Sequence, residues 1–526
     1  MPDIINTSMK RKQTLSLSMC GLLAISPVFS QQKPNVLFIM TDQQRFDALS
    51  IVGKYDFLKT PNLDKLANEG VMFQRVYTQC AVSAPARGTL FTGCTIENHG
   101  IYTNGFDKNS TIPMKTYDEI LVENGYYTEY HGKFHSPNAL KKCYSKFTDI
   151  TDYKSYLESV LPKQEAGKGE HISNDFKQPY RMNPMDVYYA ADQADDEDKL
   201  TDKDDKQIRF IQPDFHGELL IPSKYSLTSF QANQTINAIL RAKKSGKPFS
   251  ITCSFTFPHA PMLPTKPFYG MYPTDKMTIP PSIHDDMKNS PYFNANGRLT
   301  KQEYSDPEKL KYMMADYFAL VTEIDEKVGE ILETLKKQGL DKNTMIIFTS
   351  DHGEMLGAHG MREKNVFLEE SARIPLIIRF PQAIKAGTKV DTNISNINLF
   401  ATILDYLGIK DQHSDGSSLR PLIENKKTTK FEFVVTEWNF QLNDKVPNYM
   451  IVKNGWKMFI PYTSTSKVID ALYNLEKDPA EMNNLLGNYP DKNQYEAKAN
   501  ELKQDLLSWL NENKSTHYEG VMNRKL

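Results

Sequence analysis

Cysteine is scarce in this sequence, with five in 526 residues. Four of them (Cys80, Cys94, Cys143 and Cys253) lie beyond the N-terminal segment, and they could form one bridge but not a disulfide framework in so long a chain. A strong net charge is also lacking, since the formal value is -2, and we expect no nucleic-acid partner. No apolar run is long enough to span a bilayer, so we do not expect an integral membrane protein.

Residues 1–30 have the order of a secretory signal: the basic triplet KRK, the apolar run LLAISPVF, and small residues before a predicted cleavage after Ser30. The residues before Met9 fit this order poorly, so Met9 is a candidate for the true start. Cys20 raises the alternative of a lipoprotein, but it lies within the apolar run and follows a methionine. We therefore expect an exported, periplasmic protein, with a lipoprotein or a secreted form as the less favoured alternatives.

Two short apolar runs without alternation predict strands that are buried on both faces. They are NVLFIM (35–40) and TMIIFTS (344–350), and they are followed by TDQQR and by DHGE. Each strand is thus followed by an acidic residue at its carboxyl end, Asp42 in the first case and Asp351 in the second. Open parallel α/β sheets hold their ligand sites at that end of the strands.

Helical patterns alternate with the buried strands and predict a doubly wound α/β domain. A long helix is expected over Leu310 to Leu335 and a shorter one over Thr60 to Gly70, while IPLIIRF (374–380) is a further core strand. Strand-like segments and one helix in the last part of the chain predict a smaller α+β unit. We therefore divide the chain beyond the signal segment into a main domain (31–425) and a C-terminal subdomain (426–526).

The polar residues that follow the two strands are candidate metal ligands. Oxygen atoms from Asp42, Gln43 and Asp351 suit calcium or magnesium, whereas a histidine, His352, leaves manganese or zinc open. An Asp at the end of a strand is more often a cap or turn residue. The two dipeptides alone therefore do not establish a metal site.

Three further segments carry candidate catalytic side chains. HGKFH contains Lys133 and His135, which could hold an anion and transfer a proton. FTFPHAP presents His259 between two prolines, and MREKNVF contains Lys364. Each also has an ordinary interpretation, as a surface cluster, a histidine bonded to a turn, and an exposed lysine.

The segment CAVSAPARGTLFTG connects these observations. Ser83-x-Pro85-x-Arg87 followed by TLFTG resembles the signature of the type I, formylglycine-dependent sulfatases of the alkaline phosphatase superfamily, in the serine-type form. The resemblance covers most of the chain beyond residue 30, in family order. It includes NVLFIMTDQQ, TPNLDKLANEGVMF, HGKFH, FPHAP, SDHGEMLGAHG, REKNVFLEESARIPLIIRF and LYNLEKDPAEMNNL. It implies a sulfatase catalytic domain over residues 31–425, with the mixed sheet of that superfamily.

The resemblance assigns a role to each candidate residue. It implies one divalent cation, most often calcium, held by Asp42, Gln43, Ser83, Asp351 and His352. It implies sulfate and nucleophile contacts from Arg87 and Lys133, a base at His135, a proton donor at His259 and a second sulfate-binding lysine at Lys364. The family usually has Asp-Asp where this chain has Asp42-Gln43, and Asn where it has His352. The smaller anionic ligand count could weaken calcium binding or change the metal preference.

Within this family the first residue of the signature is oxidised to formylglycine (3-oxoalanine). The resemblance implies that Ser83 is modified in this way by a radical sulfatase-maturing enzyme, and that a hydroxyl of the hydrated aldehyde attacks sulfur. His135 then removes the proton of the second hydroxyl, so that sulfate leaves and the aldehyde returns, an exit that serine lacks. Cys80 lies outside the signature and is predicted to be a buried core residue.

The sequence thus predicts an exported sulfatase, a sulfuric ester hydrolase that acts on a sulfated carbohydrate. By analogy we favour exo-action on glycosaminoglycan-type oligosaccharides, with a preference for 6-O-sulfated N-acetylglucosamine. The alternatives are a phosphonate or phosphate ester hydrolase, a choline-sulfatase-like enzyme, or a non-catalytic sulfoglycan-binding protein if Ser83 is never modified. The region from 144 to 227 lacks periodicity and is expected to contribute substrate-facing surface.

Overall fold

The computed structural model describes residues 33–160, 180–182, 216–293, 302–426, 428–438, 440 and 445–526. The predicted signal segment, residues 1–30, lies outside these residues, as does most of the region from 144 to 227. Residues Lys33–Leu526 form one compact unit. In the part of the chain that the structure describes, no helix is both long enough and apolar enough to cross a membrane.

The strands carry the labels used below. They are β1 (Asn35–Asp42), β2 (Val71–Tyr77), β3 (Tyr127–Gly132), β4 (Lys146–Thr148), β5 (Tyr180–Met182), β6 (Gly217–Leu219), β7 (Phe249–Pro258), β8 (Thr344–Ser350), β9 (Arg373–Arg379), β10 (Thr388–Ser395), β11 (Val434–Glu437), β12 (Tyr449–Lys453), β13 (Trp456–Ile460) and β14 (Ala471–Asn474).

The α-helices alternate with these strands through the first four fifths of the chain. They span Pro61–Asn68, Ser83–Thr92, Ile96–His99, Tyr117–Glu123, Ile150–Val160, Leu227–Ser245, Pro307–Lys337, Glu369–Ala372, Asn398–Tyr406, Arg420–Ile423, Glu496–Glu512 and Tyr518–Met522. The predicted long helix is therefore confirmed. It begins with Pro307, whose missing N–H group costs nothing in the first turn, and Asp306 caps it by accepting the N–H groups of Glu308 and Lys309.

The large sheet has the order β10-β2-β9-β8-β1-β7-β3-β4. β1 pairs in parallel with β7 and with β8, whereas β9 runs antiparallel to both β8 and β2. The sheet is therefore mixed, as the resemblance implied. The segment 374–380 is a core strand, as predicted, although it runs against its neighbours.

Both faces of this sheet are covered, because successive side chains of a strand point to opposite faces. Leu37 and Ile39 of β1 belong to a core with the helices Leu227–Ser245 and Pro307–Lys337. Phe38 of the same strand belongs to the core on the other side. The α/β arrangement with helices on both faces is that predicted from the sequence.

The last part of the chain forms a small antiparallel sheet with the order β11-β12-β13-β14. Its apolar side chains pack against the helix Glu496–Glu512, which contributes Ala499, Leu502 and Leu506 to a shared core. The predicted α+β subdomain is thus present.

The register of the central strands determines which residues meet at the carboxyl edge of the large sheet. In the order β8-β1-β7-β3, Thr41 lies opposite Ser350, and Ser254 of β7 lies opposite both Met40 and Gly132. The segments that follow these four strands therefore start side by side. They carry nearly all of the candidate residues.

Candidate active site

Asp42, Asp351 and His352 form the centre of the site. All three are fully buried, and one ligand atom from each lies within 4.8 Å of the others. Asp351 Oδ1 accepts the backbone N–H groups of Gln43 (3.1 Å) and His352 (2.9 Å). The His352 ring places Nδ1 3.0 Å from the Gly353 carbonyl, which leaves Nε2 turned towards the two carboxylates.

Ser83 is the first residue of the helix Ser83–Thr92, and its side chain meets this centre. Its Oγ lies 2.9 Å from Nε2 of His352, and the residue is almost completely buried. Val82 before it is extended (φ -143°, ψ 136°), so the chain enters the helix directly at the serine. Pro85 lies in the first turn, where the helix makes no use of its missing N–H group.

Arg87 lies one helical turn after Ser83, on the same face of the helix. Its guanidinium donates to Asp351 Oδ2 at 2.9 Å, to the Lys133 carbonyl at 2.6 Å and to Ser254 Oγ at 2.9 Å. It also lies 3.5 Å from Asp42 Oδ2. Burial lowers the pKa of Arg87, but the charge on Asp351 outweighs it, and the net direction is upwards. The buried arginine is therefore a fixed cation that connects the acidic pair to β3 and β7.

Lys133 forms an ion pair with Asp42 through Nζ and Oδ2. It follows Gly132, whose φ of 115° and close approach to the Ser254 carbonyl leave no room for a Cβ atom. Burial lowers the pKa of Lys133, and the charge on Asp42 opposes that effect. Conversely, burial raises the pKa of Asp42, but the charges on Lys133, His259 and Arg87 hold it well below its usual value. Asp42 is therefore ionised at neutral pH.

Gln43 links the metal-ligand candidates to Lys364. Its backbone has a positive φ of 68°, and its side-chain Oε1 accepts from Lys364 Nζ at 2.6 Å. Its Nε2 donates to Oε2 of Glu354, which is also buried. Burial raises the pKa of Glu354, and the backbone N–H group of Leu356 opposes that shift.

His259 is the next partner of Lys364, with 3.0 Å between Nζ and His259 Nε2. His259 Nδ1 lies 2.7 Å from the Ala260 carbonyl, which can only accept, so Nδ1 carries the proton. Burial and then the charge on Lys364 lower the pKa of His259 well below 6.5. The imidazole is thus neutral, with Nε2 as an acceptor beside an ammonium group.

His135 lies at the edge of the site. Its backbone has a φ of 49°, its ring packs 5.7 Å from that of Phe106, and its Nδ1 is a buried atom without a hydrogen-bond partner. Burial lowers its pKa well below 6.5, followed by the charges on Lys133 and Arg87. His135 is therefore a neutral base within the electrostatic reach of the site, although no hydrogen bond joins it to Ser83 in the described part of the chain.

The structure thus gathers all the candidate residues around one centre, without showing their chemical roles. Sequence reasoning missed Glu354, Ser254 and Tyr317, whose hydroxyl donates to the Gln43 carbonyl at 2.9 Å. Only Glu354 had a sequence signal, because it belongs to the DHGE segment at a strand end. Cys80 is fully buried and burial raises its pKa, so the prediction of a core residue is confirmed.

The donor set fits a divalent cation. Asp42 Oδ1 is buried and has no hydrogen-bond partner, which is costly for a carboxylate oxygen unless a cation lies against it. Carboxylate oxygens from Asp42 and Asp351, the Gln43 amide oxygen and His352 Nε2 are suitable ligands for such an ion. The Ser83 side chain reaches the same centre through its contact with His352.

Comparison with known proteins agrees with this fold and site. The profile of the family Sulfatase matches residues 34–409, and that of "N-sulphoglucosamine sulphohydrolase, C-terminal" matches residues 357–512. The chain is 28% identical over 498 residues to an arylsulfatase of Clostridium perfringens, covering 93% of this chain and 96% of that protein. It is 28% identical over 540 residues to an N-acetylglucosamine-6-O-sulfatase of Bacteroides thetaiotaomicron, covering 95% and 91%.

Among solved structures, the phosphonate monoester hydrolase of Agrobacterium radiobacter superposes with a TM-score of 0.71 at 24% identity, over 91% of this chain and 96% of that one. That likeness concerns the fold. The chain belongs to the sulfatase family, whose profile covers well over half of it, and it is a sulfuric ester hydrolase of the alkaline phosphatase superfamily.

Proposed function

We propose that this sulfatase removes sulfate from a carbohydrate, with residue 83 as the site of attack. The observation that carries this proposal is the position of Ser83, at a helix start and 2.9 Å from His352, beside a buried acidic pair and four cationic or imidazole side chains. A sulfate ester is anionic, so the approach of a nucleophile requires positive charge around the sulfuryl oxygens. Lys133, Lys364 and the helix N-terminus supply it.

Each basic residue then has a distinct task. Arg87 holds Asp351 and the start of the helix in a fixed geometry, which a lysine could not reproduce with a single ammonium group. Lys364 and Lys133 hold sulfate oxygens. His135, neutral and with a free Nδ1, is the base that takes a proton from residue 83. His259 passes a proton to the leaving oxygen, and Lys364, 3.0 Å away, is the nearest source of that proton.

Two groups complete the site in this proposal. Ser83 is oxidised by a sulfatase-maturing radical enzyme to formylglycine, whose hydrate supplies a nucleophile that can later release sulfate as the aldehyde re-forms. One divalent cation, calcium in our proposal, is held by Asp42, Gln43, Asp351 and His352 together with residue 83, and it supplies charge stabilisation of the transition state. The orphaned Asp42 Oδ1 supports the cation.

For the substrate we favour glycosaminoglycan-type oligosaccharides cleaved at a terminal sugar, and 6-O-sulfated N-acetylglucosamine in particular. Support comes from the relative named N-acetylglucosamine-6-O-sulfatase, which aligns over 95% of this chain. We also propose export to the periplasm, on the basis of the basic, apolar and small-residue order before Gln31. The N-terminal residue of the protein purified from the periplasm tests that part, with Gln31 as the expected result.

The Asp42–Gln43 pair favours a second candidate, a phosphonate or phosphate ester hydrolase or a choline-sulfatase-like enzyme, because a neutral amide leaves the site less anionic and better able to accept a doubly charged ester. Matched 4-nitrophenyl sulfate and phosphate esters separate these functions. With protein co-expressed with a maturing enzyme, we expect a higher kcat/KM for the sulfate ester, followed by release of sulfate from N-acetylglucosamine 6-sulfate but not from choline sulfate. A higher value for the phosphate ester would contradict the sulfatase proposal.

A further inference from the structure

The Gln43 side chain lies between two opposite charges. Its Nε2 donates to the Glu354 carboxylate, and its Oε1 accepts from the Lys364 ammonium at 2.6 Å. An ammonium has no acceptor, so the atom that faces it must be the oxygen. The orientation of the amide is therefore determined by its neighbours, and the oxygen is turned away from Glu354.

Glu354 is itself held in place. Its Oε1 accepts the backbone N–H groups of Leu356 (2.9 Å) and Glu363 (2.6 Å), and its side chain is buried. The guanidinium of Arg45 donates to the Glu354 carbonyl at 3.0 Å. The carboxylate thus presents Oε2 to Gln43 from a fixed position.

The backbone of Gln43 is equally constrained. Its N–H group donates to Asp351 Oδ1 at 3.1 Å, and its carbonyl accepts from the Tyr317 hydroxyl at 2.9 Å. These contacts hold the residue at a positive φ, which a non-glycine residue adopts only where its surroundings require it. The one remaining freedom of Gln43 is the rotation of its side chain, and Glu354 removes it.

We propose that Glu354 is a positioning residue that directs the Gln43 amide oxygen towards the divalent cation and thereby sets the affinity for that cation. The proposal rests on the cation site of the proposed function. A carboxylate that accepts from the amide N–H also polarises the amide, so that Oε1 carries more negative charge. Glu354 in this way supplies, one group removed, some of the negative charge that a neutral amide lacks as a ligand.

The substitution Glu354→Gln tests this. It keeps the size of the side chain and an oxygen for the N–H groups of Leu356 and Glu363, but its own NH2 group then faces Gln43 Nε2. Two donors cannot pair, so the Gln43 amide has to turn its oxygen towards residue 354. We expect the Kd for Ca²⁺, measured by calorimetry on metal-free full-length protein with unmodified Ser83, to rise by about 10- to 100-fold.

A matched control exists in the same chain. Glu437 is also buried and also accepts from a glutamine, Gln79, at 2.7 Å, but none of the metal-ligand candidates contacts it. Glu437→Gln should therefore leave the Kd for Ca²⁺ within about twofold. The double variant Gln43→Glu with Glu354→Gln pairs a carboxylate with the new NH2 group and should recover most of the lost affinity.

The outcomes are distinct. Equal melting temperatures of metal-free wild type and Glu354→Gln, together with weaker Ca²⁺ binding and recovery in the double variant, support the proposal. A folded Glu354→Gln protein with wild-type affinity overturns it and leaves the proposed sulfatase activity intact. A wild-type protein that binds neither Ca²⁺ nor Mg²⁺ overturns it together with the proposed cation site, whereas absence of turnover with normal Ca²⁺ binding contradicts only the proposed catalytic function.

Discussion

Two buried glutamine–glutamate pairs occur in this molecule, and they differ in what lies around them. In the first, Gln43 and Glu354, the amide oxygen accepts from the ammonium of Lys364. In the second, Gln79 and Glu437, the amide oxygen accepts from the neutral hydroxyl of Ser395 at 3.2 Å. The first pair adjoins the candidate metal ligands, while the second links β11 to the loop that precedes Ser83.

The charges near the second glutamate are of the wrong sign to keep it ionised. Burial, with added repulsion from Glu97 and Asp415, raises the pKa of Glu437 to about 8. It is therefore protonated at neutral pH and pairs as a neutral group. The same two side chains thus make a polarised contact beside the active site and an uncharged structural contact elsewhere, and the difference arises from the neighbouring cation.

The largest effect is expected from Arg87→Lys, which removes the planar donor fork that holds the acidic pair. A single ammonium cannot reach Asp351, Ser254 and the Lys133 carbonyl together. We expect kcat/KM for a sulfate ester to fall by about 10³-fold. Arg241→Lys is the control, because Arg241 pairs with Glu129 at 2.6 Å while 36% of its side chain is exposed. Comparable losses in the two variants would show that Arg87 has no special role.

Lys364→Met removes the cation that distinguishes the first glutamine–glutamate pair from the second. We expect kcat/KM to fall by about 10²-fold, because one sulfate-binding charge is lost. Burial remains, but the second cause of the low pKa of His259 disappears, so that pKa should rise and shift the acid limb of the pH–rate profile upwards. An unchanged acid limb would argue against contact between the two side chains. Lys453→Met, which breaks a pair with Asp505 in the small sheet, is the control.

The smallest effect on activity is expected from Glu437→Gln, which acts on stability instead. In wild type the folded-state pKa of about 8 exceeds the ordinary 4.5, so the unfolded chain loses its proton first and stability falls as the pH rises between these values. Glutamine cannot ionise, so the variant should gain relative to wild type over that interval, by up to about 5 kcal/mol. Urea titrations at pH 5 and pH 8 measure this gain. A stability difference that is the same at both pH values would mean that Glu437 is ionised in the folded protein.

Much of the fold follows from patterns along the chain. β1 and β8 are continuous apolar runs, and the helix Pro307–Lys337 has a sustained helical spacing of buried residues. The acidic residues at the strand ends were predictable for the same reason, since the ends of adjacent parallel strands meet at one edge of the sheet. The antiparallel direction of β9 was not, because the direction of a strand depends on how the connections run.

The finer geometry of the site was beyond the reach of sequence patterns. Gln43 and Glu354 lie 311 residues apart in the chain, so their contact exists only once the sheet has formed. Glu354 alone would pass for an ordinary acidic loop residue. The positive φ of His135, and with it the position of its ring, also depends on tertiary contacts that no local pattern specifies.

The most direct test of the account is the mass of the tryptic peptide from Val76 to Arg87, which contains residue 83, in protein co-expressed with a sulfatase-maturing enzyme. We predict that the peptide loses two hydrogens, as expected for conversion of Ser83 to the aldehyde, and that sulfate ester hydrolysis increases in proportion to the converted fraction. Ser83→Ala should show neither. An unconverted peptide from protein that nevertheless hydrolyses sulfate esters, or turnover by Ser83→Ala, would contradict the account.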